Sequence, residues 1–132
     1  MLLDHGMVYW DVRPSVEHPT VEVRVSDIPL TARDAIVIAE DIRAFARTAA
    51  ESGEPERVDD VLLRAAYWRA ARDGVDGLAV DPRTGNLVPA RELVAELVSW
   101  CGGALADASA LSTVEDHVTW LGAHGSGAAR QR

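Results

Sequence analysis

The sequence predicts an α+β domain in which strands come first and helices follow. Three observations carry that expectation. Valine alternates strictly with polar residues from Thr20 to Ser26, which is strand periodicity. Apolar residues then recur at helical intervals in four later stretches. Between the second and third of these lies "DPRTGN", whose Pro-then-Gly order favours a small hairpin.

Taken in order, "MVYWDV" (Met7 to Val12) is rich in aromatic and β-branched residues and reads as the first strand. Pro14 is expected to break the ladder, and "SVEHP" to form a turn or short loop. Thr20 to Ser26 is the second strand. Pro29 closes the strand region, and Thr31 with Asp34 has capping-box spacing. Ile38, Ile42, Phe45 and Ala49 continue a helix that stops before Gly53. Val58, Val61, Leu62 and Ala65 open a second helix ending near Gly74. Leu78–Val80 and Leu87–Val88 flank the turn as a mini-hairpin. A third helix covers Ala90 to Trp100, and Gly102 and Gly103 are expected to stop it. Ser112 with Glu115 offers another capping box, opening a last helix through Trp120 and Leu121. The remainder, 122–132, is expected to be a flexible tail.

This makes one domain fragment, 1–132, with two strands, about four helices and a hairpin. Two long strands by themselves are a poor sheet, with an uncovered valine face and two bare edges. Further strands are therefore expected from another chain or from a missing N-terminal half, and the edges also allow a homo-oligomer.

Composition narrows the function classes. The 132 residues carry a formal net charge of −8, which argues against nucleic acid as a partner. All 13 basic residues are arginine, so every cation is a planar fork suited to carboxylate or phosphate. No lysine is available for a Schiff base or a P-loop. One cysteine, Cys101, excludes an internal disulfide and a cysteine-only metal site. No signal peptide and no membrane-spanning apolar run is found, so a cytoplasmic location is expected.

The alternation places Thr20, Glu22 and Arg24 on one face of a strand. Residues two apart on a strand lie about 6.5–7 Å apart. A carboxylate and a guanidinium at that spacing can share a metal-bound phosphate, or can simply pair on a wet surface. Arg13 can hold a substrate carboxylate or end a strand at the surface. Trp10 reads as core or sheet cover. Asp11 lies in line with Arg13, and a salt bridge between them is expected. His18 reads as a solvated loop residue. His5, His117 and His124 have no metal-ligand spacing. Arg69, Arg72 and Arg83 read as solvated helix and turn residues, and Arg130 and Arg132 as a frayed basic tip.

"MVYWDVRPSVEHPTVEVRVSD" resembles the C-terminal part of the bacterial carboxylate-amine ligases, the type 2 glutamate–cysteine ligase family that includes YbdK-like enzymes. "YWRAARDGVDGLAVDPRTG", "LVPARELVAELV" and "GSGAARQR" are similar to later blocks of that family, in the same order. Family members are several hundred residues long and carry acidic motifs upstream. "AHGSG" departs from the asparagine-bearing versions of its loop.

The resemblance implies an antiparallel sheet of the glutamine-synthetase type with substrates on its polar face. It implies an ATP-dependent ligase that joins a glutamate-like carboxylate to a cysteine-like amine with Mg²⁺. By the same resemblance, Glu22 is a metal ligand, Arg24 and Thr20 contact the nucleotide phosphates, and Arg24 and Arg13 are the catalytic cations. The chain by itself is then expected to be inactive. The alternative is a non-catalytic remnant that pairs its strands with another chain.

Overall fold

The computed structural model describes residues 11–53 and 57–131. The fold class is α+β, as the periodicities predict. Strands β1 (Val12–Pro14) and β2 (Val21–Val23) form one antiparallel ribbon. Helices α1 (Ala32–Glu51) and α2 (Asp60–Asp73) follow. Strands β3 (Leu78–Val80) and β4 (Leu87–Pro89) form a second two-stranded sheet. Helices α3 (Ala90–Trp100), α4 (Gly102–Asp107), α5 (Leu111–His124) and α6 (Gly127–Arg130) complete the described chain.

α1 starts where its sequence signal lies. Thr31 Oγ1 accepts from the Asp34 amide at 3.1 Å, and the Asp34 carboxylate accepts from the Thr31 amide at 3.0 Å. This is a reciprocal capping box. α2 starts at Asp60, because the Asp59 carboxylate accepts from the Val61 and Leu62 amides. Its end falls at Gly74, whose φ of 62° suits glycine. The hairpin turn is organised by Asp81, which accepts from the Arg83 amide and from Thr84 Oγ1, both at 3.0 Å.

Several expectations need correction. The strands were expected to be long. β1 and β2 have three residues each, and Pro14 ends β1 opposite Val21 instead of breaking the ladder. The portion of the expected first strand from Met7 to Trp10, and the reading of Trp10, lie outside the described residues. About four helices were expected, whereas six are present among the described residues. Gly102 and Gly103 do not end helical structure. Cys101 caps α3 and the chain turns at once into α4, where the Leu105 amide donates to the Cys101 carbonyl at 3.0 Å. The turn brings Ala104 and Leu105 into the core, and their burial outweighs the low helix propensity of two glycines. The Ser112–Glu115 capping box is also not used. α5 begins at Leu111 with Ala110 as its cap, because Ala110 and Val114 both point into the core. Residues 122–131, expected as a loose tail, form the end of α5 and the short α6.

The core lies between α1, α4 and α5. It contains Val37, Ala44, Cys101, Ala104, Leu105, Ala110 and Val114, with Val98, Leu111 and Val118 packed against it. α2 lies on β3, and α3 spans both strands of the hairpin. Among the described residues, the β1–β2 ribbon contributes none to this core. Val12 and Val21 on it, and Val25 just beyond it, are each about half exposed, at 50%, 52% and 48%. Among the described residues no helix is long and apolar enough to cross a membrane.

Candidate functional site

The ribbon register brings three charged residues together. Arg13 pairs directly opposite Glu22, and the Arg24 amide donates to the Asp11 carbonyl at 2.8 Å. Glu22 and Arg24 share a face by strand alternation, and Arg13 joins that face from the neighbouring strand. Glu22 sits in the middle. Arg13 Nε donates to Oε2 at 2.7 Å, and Arg24 Nε donates to Oε1 at 2.8 Å. Arg24 Nη2 lies 2.7 Å from the same Oε1. The hydrogen bonds from Arg13 and then Arg24 hold the Glu22 carboxyl below the ordinary glutamate range. Glu22 is thus one anion set between two cations, on a chain that is acidic overall.

The pairing of Arg13 with Glu22 was not foreseen, because it depends on register, which the sequence does not state. Thr20 lies outside the strand, at the ribbon loop. It is exposed, its carbonyl accepts from the Ser15 amide at 2.8 Å, and it lines a shallow hollow with Ser15 and His18. Arg69, Arg72 and Arg83 serve local structure. Arg69 Nε donates to the Leu78 carbonyl at 3.1 Å, Arg72 pairs with Asp73 and stacks on Trp68, and Arg83 bridges Asp81 and Glu96.

The residues fit Mg²⁺ only in part. No group of three His, Cys, Asp or Glu that could hold a metal occurs among the described residues. Glu22 can supply one ligand. Each of its oxygens accepts from one arginine, and a carboxylate oxygen has two lone-pair sites. The other ligands must come from elsewhere.

A second polar cluster was missed by sequence reasoning. Asp34, at the start of α1, is 6% exposed, and His117 on α5 is 4% exposed. Asp34 Oδ1 lies 3.3 Å from His117 Nε2, and Oδ2 accepts from Arg130 Nη2 at 3.2 Å. The Arg130 guanidinium stacks on Trp120 at 4.7 Å, and Trp120 stacks in turn on His117 and His124. Burial pushes the Asp34 carboxyl up, but the hydrogen bonds from Arg130 and Thr31 prevail and hold it below the usual range. Burial pushes His117 down. The Asp34 charge opposes that, while Arg33 and Arg130 reinforce it. His117 Nδ1 and Arg130 Nε are buried with no hydrogen-bond partner. The capping-box spacing pointed to Asp34, but its partners lie up to 96 residues away.

The cluster and the linker from β2 to α1, Ser26 to Leu30, both line a cleft of about 440 Å³. The remaining lining is mostly apolar, apart from Ser126, Gln131 and Asp41, whose carboxyl is raised by burial and then by Glu40.

Comparison with known proteins gives the family. Residues 1–131 match the family model described as glutamate-cysteine ligase family 2. A Nocardia farcinica protein named "Putative glutamate–cysteine ligase 2-1" is 45% identical over 135 residues, covering 99% of this chain and 35% of that protein. A Frankia alni protein named "Putative glutamate–cysteine ligase 2-2" is 46% identical over 137 residues, covering 98% of this chain and 35% of its own length. A Streptomyces coelicolor protein named "Putative glutamate–cysteine ligase 2" is 44% identical, with 99% and 37% covered. The chain therefore spans about a third of the length of these relatives. With a family match along almost all of its length, the chain belongs to glutamate–cysteine ligase family 2.

Proposed function

We propose that this chain supplies the anion-binding strand of an ATP-dependent carboxylate-amine ligase and is its C-terminal part. The observation that carries the reading is Glu22 held between Arg13 and Arg24 on one ribbon face. In the proposed reaction the γ-phosphoryl group of ATP moves to a carboxylate oxygen of a glutamate-like acid, and ADP leaves. The amine of a cysteine-like substrate then attacks the acyl carbon. Phosphate departs with the acyl–oxygen bond, and the amine proton passes to solvent. Arg24 holds the transferring phosphoryl group, with Thr20 beside the nucleotide phosphates, and Arg13 holds substrate carboxylate. Mg²⁺, when bound, neutralises phosphate charge, and Glu22 offers it one oxygen. The chain spans only a third of its relatives, so turnover is assigned to an assembly that includes the other two-thirds.

The test is co-expression with a polypeptide supplying that remainder, followed by mass spectrometry of ADP and amide products. Arg24→Ala is expected to lower turnover about 10²–10³-fold, the scale of losing one transition-state donor. An assembly that forms no amide, or an unaffected R24A, refutes the reading.

One observation favours a second reading. The half-exposed valines of the ribbon suit an interaction module that pairs with another chain and does no chemistry. Binding of the upstream polypeptide without ADP formation is the outcome that selects it.

A further inference from the structure

Resting on the ligase reading, we infer that Arg130 is a positioning residue: through Asp34 it fixes the linker that carries the Glu22/Arg24 strand into α1. The geometry is specific. Asp34 Oδ2 accepts from both Arg130 Nη2 and the Thr31 amide, at 3.2 and 3.0 Å. Thr31 is the residue at which the linker becomes helix. One oxygen thus ties the C-terminal segment to the entry of α1.

Local chain chemistry aims Arg130 at this point. Gly125, at φ +79°, ends α5, and a Cβ there would sit 2.9 Å from the Ala129 Cβ, so only glycine allows the tight reversal. Ser126 Oγ then caps α6 by accepting from the Ala129 amide. Gly127 lies against Leu30 of the linker itself, where an added Cβ would be 3.6 Å from Leu30 Cγ. Trp120 supports the guanidinium from α5. The "GSGAAR" segment therefore touches the linker directly at Leu30 and indirectly through Asp34. Glu22 and Arg24 lie just upstream of that linker, and a strand whose exit is loose cannot hold Glu22 and Arg24 in one orientation beside Arg13.

Arg130 also sets the electrostatics of the cluster. The charged groups facing His117 are Asp34 and Arg33 from α1 and Arg130 from α6. Removing Arg130 makes His117 the natural counter-ion of Asp34.

The test compares wild type, Arg130→Ala and Arg130→Lys in the 132-residue chain by NMR. In R130A the Thr31 amide should exchange about fivefold faster or more, the scale of a lost helix cap. The Arg24 amide should lose protection with it, and His117 should titrate at higher pH. R130K keeps the charge and should restore part of each effect. Should R130A fail to fold, R130K against wild type carries the same readouts. In the assembled ligase, R130A should lower kcat about ten- to a hundredfold with a smaller change in KM. Unchanged Thr31 exchange and His117 titration in R130A overturn the inference, and so does unchanged kcat once the linker is loosened. If the wild-type assembly shows no turnover at all, the ligase reading fails, and the NMR arm still decides whether Arg130 fixes the linker.

Discussion

Replacing His117 with glutamine tests the electrostatics of the buried cluster through the pH dependence of stability. Burial lowers the His117 pKa in the folded protein, with Arg33 and Arg130 adding to the effect against Asp34. The unfolded chain binds a proton on this side chain at about pH 6.5. The native state binds it only at lower pH. As pH falls through that window the unfolded state holds more protons, so stability is lost. One proton sets a ceiling of about 1.4 kcal/mol per pH unit. For a chain of this size that corresponds to about 5 °C in Tm per pH unit at most. The substituted glutamine amide can still donate to Asp34 Oδ1 but cannot titrate. H117Q should therefore melt at nearly constant temperature between pH 7 and 5, where the wild type declines. Asp34 has a depressed folded pKa, so its own contribution is present above about pH 4 and is lost below it in both proteins. Asp41 is raised and acts in the opposite sense, again equally in both. Thermal melts at half-unit pH intervals measure the difference directly. Parallel curves for wild type and H117Q from pH 7 to 5 refute the assignment of a neutral, burial-shifted His117.

Other outcomes follow from the same coordinates. Leu105→Ala empties a fully buried site in the α1–α4–α5 core and should cost about 2–5 kcal/mol in urea unfolding. Cys101 is buried, and desolvation raises its thiol, with Asp41 adding to the rise and Thr48 opposing it. Thiol reagents should therefore react far more slowly with native protein than with protein in denaturant. Glu22→Gln removes the anion between Arg13 and Arg24, both of which are solvent-accessible. Melting of this chain should not change, whereas the Mg²⁺ response of an assembled ligase should weaken; an unchanged response removes Glu22 from the metal role.

Local signals in the sequence translated well into structure. The Thr31–Asp34 spacing became a reciprocal cap, the alternation around Glu22 placed it beside Arg24, and "DPRTGN" closed a hairpin around Asp81. What was not legible depends on distant packing. Two glycines at 102 and 103 ordinarily stop a helix, yet α4 begins there because Leu105 has a core to enter. Arg13 joined the site through cross-strand register, which a loop of uncertain length does not specify. Arg130 read as a frayed end because nothing near it in sequence carries the complementary charge; its partner, Asp34, belongs to the first helix. The tail motif "GSGAAR" is explained by the structure it builds, a reversal followed by one aimed guanidinium.

The two sides of the ribbon differ in chemistry. The valine side is half exposed and apolar, so burying it against more polypeptide is favourable by about 25 cal/mol per Å². The other side sets one carboxylate between two guanidinium groups. Guanidinium groups suit anions better than apolar cover. An apolar side and a guanidinium-bearing side on one ribbon are compatible with the anion-binding role proposed above. Between Arg13 and Arg24, Glu22 keeps the two cations from repelling each other.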